Sequence, residues 1–219
     1  MAYFPFMMDI KKKDCLIVGG GLIAGRKAQM LLQYEPDITV IAPQISQIIL
    51  DMQEENSITV KQRTFEETDL KNRFMVIAAT ADEQLNREIA KECKRRGILV
   101  NAVDMTDDCS FIFPAIIKKK NLLISISSGG DSPAGAAYLK KHIEKCVPEG
   151  YERNLEVLGK SRELVKRVIA SSSERTQFYY SVLQKVSKTG QVLNGRDIVK
   201  YLRMSYRQDS LNTKARKKG

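Results

Sequence analysis

The sequence has no tryptophan, one histidine (His142), and four widely separated cysteines: Cys15, Cys93, Cys109 and Cys146. A single histidine excludes a multi-histidine metal centre and argues against Ser-His-Asp or Cys-His catalysis. Without a C-x-x-C pair the cysteines read as reduced thiols, which points to the cytoplasm rather than to a disulfide framework. No apolar run reaches the ~18–20 residues that crossing a bilayer requires. Residues Met1–Asp9 are apolar but carry neither a basic leader nor a small-residue cleavage site, so no signal peptide is expected. Internal repeats and low-complexity linkers are also missing.

What is present is ordinary globular material: 219 residues, 43% hydrophobic and 28% charged. That composition supports a folded core and excludes a wholly disordered chain. The net charge of +10 is unevenly placed. Residues 1–150 hold 20 basic and 20 acidic side chains, whereas residues 151–219 hold 16 and 6. The shift falls near Pro148-Glu149-Gly150, which marks a boundary. A basic segment suits nucleic acid, an anionic membrane surface or a polyanionic small molecule.

The first half alternates apolar runs with helical spacing. Strands are expected at Cys15–Val18, Ile38–Ala42, Ile58–Gln62, Phe74–Ala79 and Ile98–Val103. Helices are expected at Leu22–Tyr34, Gln44–Gln53, Glu66–Asn72 and Glu83–Arg96. This alternation implies an α/β, Rossmann-like parallel sheet covered on both faces. Ser110–Ile117 and Asn121–Ser127 then read as two strands joined by Lys118-Lys119-Lys120. A helix follows from Pro133 to Cys146, with Asp131 or Ser132 as cap. Beyond it only helices are expected: Tyr151–Ala170, Glu174–Val186 and Gly190 to about Tyr206. The basic tail from Asn212 is expected to fray. The domain division is therefore 1–109, a β-rich segment over 110–147, and a small all-helical basic domain over 148–219.

The strongest local signal is Gly19-Gly20-Gly21-Leu22-Ile23-Ala24, a G-x-G-x-x-A turn between a strand and a helix. Gly19 allows the tight turn, Gly21 lets backbone approach a pyrophosphate, and Ala24 permits close helix–strand packing. The competing reading is a glycine-rich turn without a ligand. About twenty residues on, where an acidic ribose partner usually stands, the sequence has Ala42-Pro43-Gln44, and no nearby arginine suggests a 2′-phosphate. These mechanics leave NAD and NADP open. The candidate cofactor contacts are Gly19, Gly21, Leu22, Ile23, Pro43, Gln44, Ala79 and Thr80, the last two ending the fourth strand.

Asp104 follows the fifth strand and would point into the same crevice, where a carboxylate can accept a proton beside a nicotinamide. Asp107 and Asp108 read as turn residues. Ser127, Ser128 and Gly129 precede a helix N-terminus and suit either an anion site or a plain capped turn. His142 reads as a solvated or half-buried helix residue. Phe178, Tyr179 and Tyr180 read as bundle packing rather than as a stacking platform.

Together these residues resemble the precorrin-2 dehydrogenase / sirohydrochlorin ferrochelatase family, the part of sirohaem synthase that precedes any methyltransferase domain. The resemblance runs from about Phe4 to Cys146. It is carried by Phe4-Pro5-Phe6, Cys15–Gly21, Arg26-Lys27, Ala78-Ala79-Thr80, Asn101-Ala-Val-Asp104, Ser110–Pro114 and Ile126–Pro133. No methyltransferase domain follows in this sequence, so the stand-alone form is expected. The resemblance implies NAD as cofactor, oxidation of precorrin-2 to sirohydrochlorin, and in some members metal insertion as well. It makes Asp104 the acid/base, and places Ser127, Ser128 and Gly129 against the substrate. A metal site is not specified. It also implies a homodimer that exchanges the segment after the fifth strand. The basic half would then suit an octacarboxylate, and neither a membrane nor nucleic acid is an expected partner. The rival readings are a non-catalytic NAD-sensing module whose basic tail binds a partner or nucleic acid, and a dehydrogenase for another acidic metabolite.

Overall fold

A computed structural model describes residues 3–216, with side chains to residue 205. The chain divides into two compact units. The first holds the residues up to Phe113 together with Gly129–Asp131, and the second holds Pro114–Ser128 and everything from Ser132 onward.

In the first unit, strands β1 (Asp14–Val18), β2 (Asp37–Ile41), β3 (Thr59–Lys61), β4 (Met75–Ala78) and β5 (Leu99–Ala102) form one sheet in the order β3-β2-β1-β4-β5. Every pairing is parallel. Helices α1 (Leu22–Leu32), α2 (Gln47–Glu54) and α3 (Glu83–Arg96) connect them. Residues alternate across the pleat, so each strand supplies both faces. Cys15, Ile17, Ile38, Val40, Met75 and Ile77 pack with Ala24, Ala28 and Leu31 of α1 and Ile49 and Met52 of α2. Leu16, Val18, Ile41, Val76, Ala78, Val100 and Ala102 pack with Ile89, Ala90 and Cys93 of α3. This two-faced burial is why the strands read as continuous apolar runs. The expected α/β class is correct. Strand order reverses between β1 and β4, the crevice where open α/β sheets bind ligands.

Several boundaries differ from expectation. Helix α2 starts at Gln47 instead of Gln44, because residues 43–46 cross over Gly20, where Ser46 N–H donates to Gly20 O (2.8 Å). The expected helix Glu66–Asn72 is a 3₁₀ turn, Glu67–Leu70. The expected strand from Ser110 begins only at Ala115. Ser110 instead binds the β5 backbone, its N–H donating to Val100 O (2.8 Å) and its Oγ accepting from Val100 N–H (2.7 Å). Phe111 and Phe113 join the first core.

The second unit opens with an antiparallel hairpin, β6 (Ala115–Lys119) and β7 (Leu122–Ile126). Its turn is Lys120-Asn121, with Lys118 and Lys119 inside the strand rather than in the connection. Helix α4 (Pro133–Cys146) is capped by Ser132, whose Oγ accepts from Gly135 N–H (3.0 Å), with Pro133 in the first turn. Helices α5 (Tyr151–Lys160), α6 (Arg162–Val168), α7 (Ser172–Thr189) and α8 (Gly195–Arg216) follow. The single expected helix Tyr151–Ala170 breaks at Ser161, after the weak helix former Gly159, where the Ser161 hydroxyl donates to Leu158 O (2.8 Å). Helix α8 runs past the expected end near Tyr206; the side chains of the basic tail lie outside the described residues. Leu158, Val165, Phe178, Val182, Val186, Leu193, Ile198 and Leu202 form the helical core. Tyr179 only flanks that core and Tyr180 is exposed. Among the described residues no helix is long and apolar enough to cross a membrane.

Candidate functional site

Parallel pairing aligns the carboxyl ends of the three central strands. Val18 pairs with Ala78, and Ala78 with Ala102. Gly19, Ala79 and Val103 therefore leave the sheet side by side. The β5 exit that leads to Asp104 stands two strand spacings, about 10 Å, from the β1 exit that leads to the glycine turn.

The turn after β1 depends on two close approaches. Gly19 has φ 127°, a conformation that side chains rarely adopt, and a Cβ there would lie 2.2 Å from Ala79 O. A Cβ on Gly20 would lie 1.9 Å from Gln44 O. Sequence reasoning left Gly20 as a free position, because the backbone it touches is more than twenty residues away. Gly21 differs from both: a Cβ there would meet nothing within 4 Å. It precedes α1 and supplies no side-chain cap. The first N–H groups of α1 have no intrahelical acceptor, as at any helix start. Open space, uncapped donors and the positive end of the helix dipole together suit the pyrophosphate of a dinucleotide. Leu22 and Ile23 add apolar surface beside that opening, 64% and 46% exposed.

Pro43 and Gln44 form the loop after β2, and Pro43 O accepts from Gln62 Nε2 (3.4 Å). Ala79 N–H donates to Val18 O (2.8 Å), so the β4 exit is tied to β1. Thr80 is held by a residue the sequence did not reveal. Buried Asn86 of α3 accepts from Thr80 N–H (3.1 Å) and Thr80 Oγ1 (2.8 Å), and donates from Nδ2 to Thr80 O (3.1 Å). An isolated asparagine in a helix pattern gives no signal of such a clamp.

Asp104 is exposed and sits at φ 62°, a left-handed conformation that aspartate tolerates better than most residues. Its turn is organised by buried Cys109. The thiolate-capable sulfur accepts from Ala102 N–H (3.2 Å) and Asn101 Nδ2 (3.3 Å), and lies within donating distance of Ala102 O (3.2 Å) and Met105 O (3.3 Å). Burial raises the Cys109 thiol above its ordinary value, and it pushes Cys15 up to about 11 and Cys93 up to about 12. These three thiols are therefore protonated packing groups at neutral pH. Lys94 Nζ donates to the Asp107 carbonyl (3.0 Å) and Asp108 faces Arg87 (4.0 Å), which fits them as turn residues.

Ser127 and Ser128 follow β7 in the second unit, whereas Gly129 belongs to the first. Ser128 Oγ accepts from Ser132 N–H (2.9 Å), and Gly129 has φ 70°. His142 is exposed, its Nδ1 at 3.0 Å from Tyr138 O. Among the described residues no group of three or more His, Cys, Asp or Glu side chains could hold a metal ion.

The doubly wound sheet, the uncapped glycine turn at its switch point and the adjacent strand exits define a Rossmann-type dinucleotide-binding protein. A family model described as putative NAD(P)-binding matches residues 6–115, and the chain belongs to that family. It is 35% identical to the siroheme synthase of Nitrosococcus oceani over 184 residues, covering 84% of this chain and 39% of that protein. It is 36% identical to the siroheme synthase of Pseudoalteromonas atlantica over 197 residues, covering 90% and 42%. The chain thus spans about two fifths of the length of these relatives. Among solved structures it is similar to "SirC, precorrin-2 dehydrogenase", with a TM-score of 0.73 and 27% identity, covering 92% of this chain and 100% of that one. The resemblance read in the sequence is borne out, as is a nicotinamide dinucleotide as the cofactor.

Proposed function

We propose that this chain oxidises precorrin-2 to sirohydrochlorin with NAD, a step toward sirohaem. The observation that carries the reading is the alignment of the glycine turn, Thr80 and Asp104 on adjacent strand exits, in a chain similar over 92% of its length to a precorrin-2 dehydrogenase. Gly19, Gly21, Leu22, Ile23, Pro43, Gln44, Ala79 and Thr80 would hold the cofactor. Residues 42–47 carry neither a carboxylate for a ribose hydroxyl nor a cation for a 2′-phosphate, so the choice of NAD over NADP rests on the resemblance to precorrin-2 dehydrogenases.

Bound there, NAD supplies the acceptor for a hydride from a ring-system carbon of the substrate. Oxidation also releases a proton, and Asp104 is the group that takes it. The exposed carboxylate can pass that proton to solvent. The protein's main contribution is to hold the macrocycle against the cofactor in one orientation. Ser127, Ser128 and Gly129 would contact substrate carboxylates, and the basic residues after 150 would draw in the polyanion.

A homodimer that exchanges the hairpin after the fifth strand, Ser110 to Ser127 as read in the sequence, completes the reading. Its support is α4, a 14-residue helix in which only Ala136 is buried while Tyr138 and Leu139 are 67% and 48% exposed. Such a helix needs a cover. The test is the purified chain with precorrin-2 and NAD, following NADH and sirohydrochlorin absorbance, with and without ferrous iron to read metal insertion. NADH binding without any precorrin-2 turnover would replace this reading with a sensing module.

A further inference from the structure

Lys27 stands in the first unit, on α1, one turn after Ile23 and on the same face. That places it about 6 Å along the helix from a residue lining the glycine turn. Its ammonium lies 3.9 Å from the centroid of the Phe113 ring. Phe113 is itself fixed edge-on against Phe111 (5.2 Å), whose carbonyl accepts from Asn101 of β5 (3.1 Å). The lysine is thereby held toward the β5 exit that carries Asp104.

Lys27 is half-buried, yet among the described residues no carboxylate lies within ion-pair distance of it. Burial lowers the ammonium from its ordinary value, and the Asp104 carboxylate opposes that shift without closing a bond to it. A ring face satisfies only part of what a desolvated ammonium loses, because it offers no hydrogen-bond acceptor of full strength. The group is left with donors and charge to spare beside the proposed acid/base.

We infer that Lys27 binds a carboxylate of the substrate and fixes the macrocycle beside Asp104. This rests on the tetrapyrrole reading above and adds a specificity residue to it. The anion would complete a half-made site: the ring holds the lysine stem and one side of the ammonium, and the carboxylate takes the remaining N–H groups. The charge-neutral rival is that Lys27 only packs on Phe113.

The test uses Lys27→Met, which keeps length and apolar contact with the ring, and Lys27→Arg, which keeps the charge. Uroporphyrin, an octacarboxylate porphyrin, serves as a binding probe read by its absorbance, and NADH affinity serves as the control for a folded first unit. Lys27→Met should weaken uroporphyrin binding by roughly 10–100-fold, the range for one charge-assisted hydrogen bond. NADH affinity should stay unchanged, and Lys27→Arg should restore porphyrin binding. In turnover, Lys27→Met should raise KM for precorrin-2 more than it lowers kcat. Equal porphyrin affinity in Lys27→Met and wild type, or no porphyrin binding by wild type, overturns the inference. Lys27-dependent porphyrin binding without precorrin-2 turnover keeps it and overturns the proposed reaction instead.

Discussion

Exchanging one glycine for alanine should separate stability from cofactor binding, and in opposite directions at Gly19 and Gly21. Gly21 has φ −82° and ψ −173°, ordinary extended backbone, and open space where a Cβ would sit. Alanine there restricts only the unfolded chain, which stabilises by about 0.4–1 kcal/mol, or roughly 1–4 °C in Tm for a chain of this size. The same methyl occupies the approach of the pyrophosphate, so NADH affinity should fall at least about tenfold, or ~1.4 kcal/mol. At Gly19 the added Cβ meets Ala79 O at 2.2 Å and the backbone sits at φ 127°. Backbone strain of about 1–3 kcal/mol and overpacking of about 1–3 kcal/mol then add. Gly19→Ala should therefore melt well below wild type, and its binding loss should track its unfolding. Thermal melts monitored by circular dichroism and NADH fluorescence titrations read both quantities. A Gly21→Ala protein that binds NADH like wild type would refute the placement of the phosphates at this turn.

Other consequences are more local. Asp104→Asn keeps the left-handed turn and removes the charge; NADH binding should persist while precorrin-2 oxidation falls about 10²–10⁴-fold, and near-normal turnover would move the proton acceptor elsewhere. Asn86→Ala leaves Thr80 N–H without its acceptor and should cost about 1–3 kcal/mol, with weaker NADH binding as the β4 exit loosens; unchanged affinity would make Asn86 purely structural. Arg63 donates two hydrogen bonds to Asp69 (2.8 and 2.6 Å) and holds that carboxyl below its ordinary value, against the opposing effect of burial. A lowered folded value means that the pair's stability is present above the unfolded value, about pH 4, and is lost as pH falls through the folded one. Urea melts across acid pH should show the gap between wild type and Asp69→Asn closing below about pH 4; a constant gap would deny the linkage.

Local pattern carried much of this protein. Strands buried on both faces, the Val18-Gly-Gly-Gly21 turn opening a helix, and Pro133 behind the Ser132 cap are all encoded within a few residues. Such features are legible because backbone geometry and apolar periodicity act at short range. They also located the strand exits where Thr80 and Asp104 stand, since parallel strands joined by helices place their carboxyl ends on one edge. Tertiary structure alone decided what depends on residues distant in the chain. Gly20 is required because Gln44 O passes over it, and Gly25 because a Cβ there would meet Ile48 Cγ2 at 2.4 Å. Asn86 became the clamp on Thr80, and Lys27 came to rest on Phe113, through packing that no local spacing announces. The segment Ser110–Phe113 looks like a strand in sequence because phenylalanine and isoleucine are strand-prone residues. It leaves the hairpin because bonds to Val100 and Asn101 and the packing of two half-buried phenylalanines against the first core outweigh that local preference.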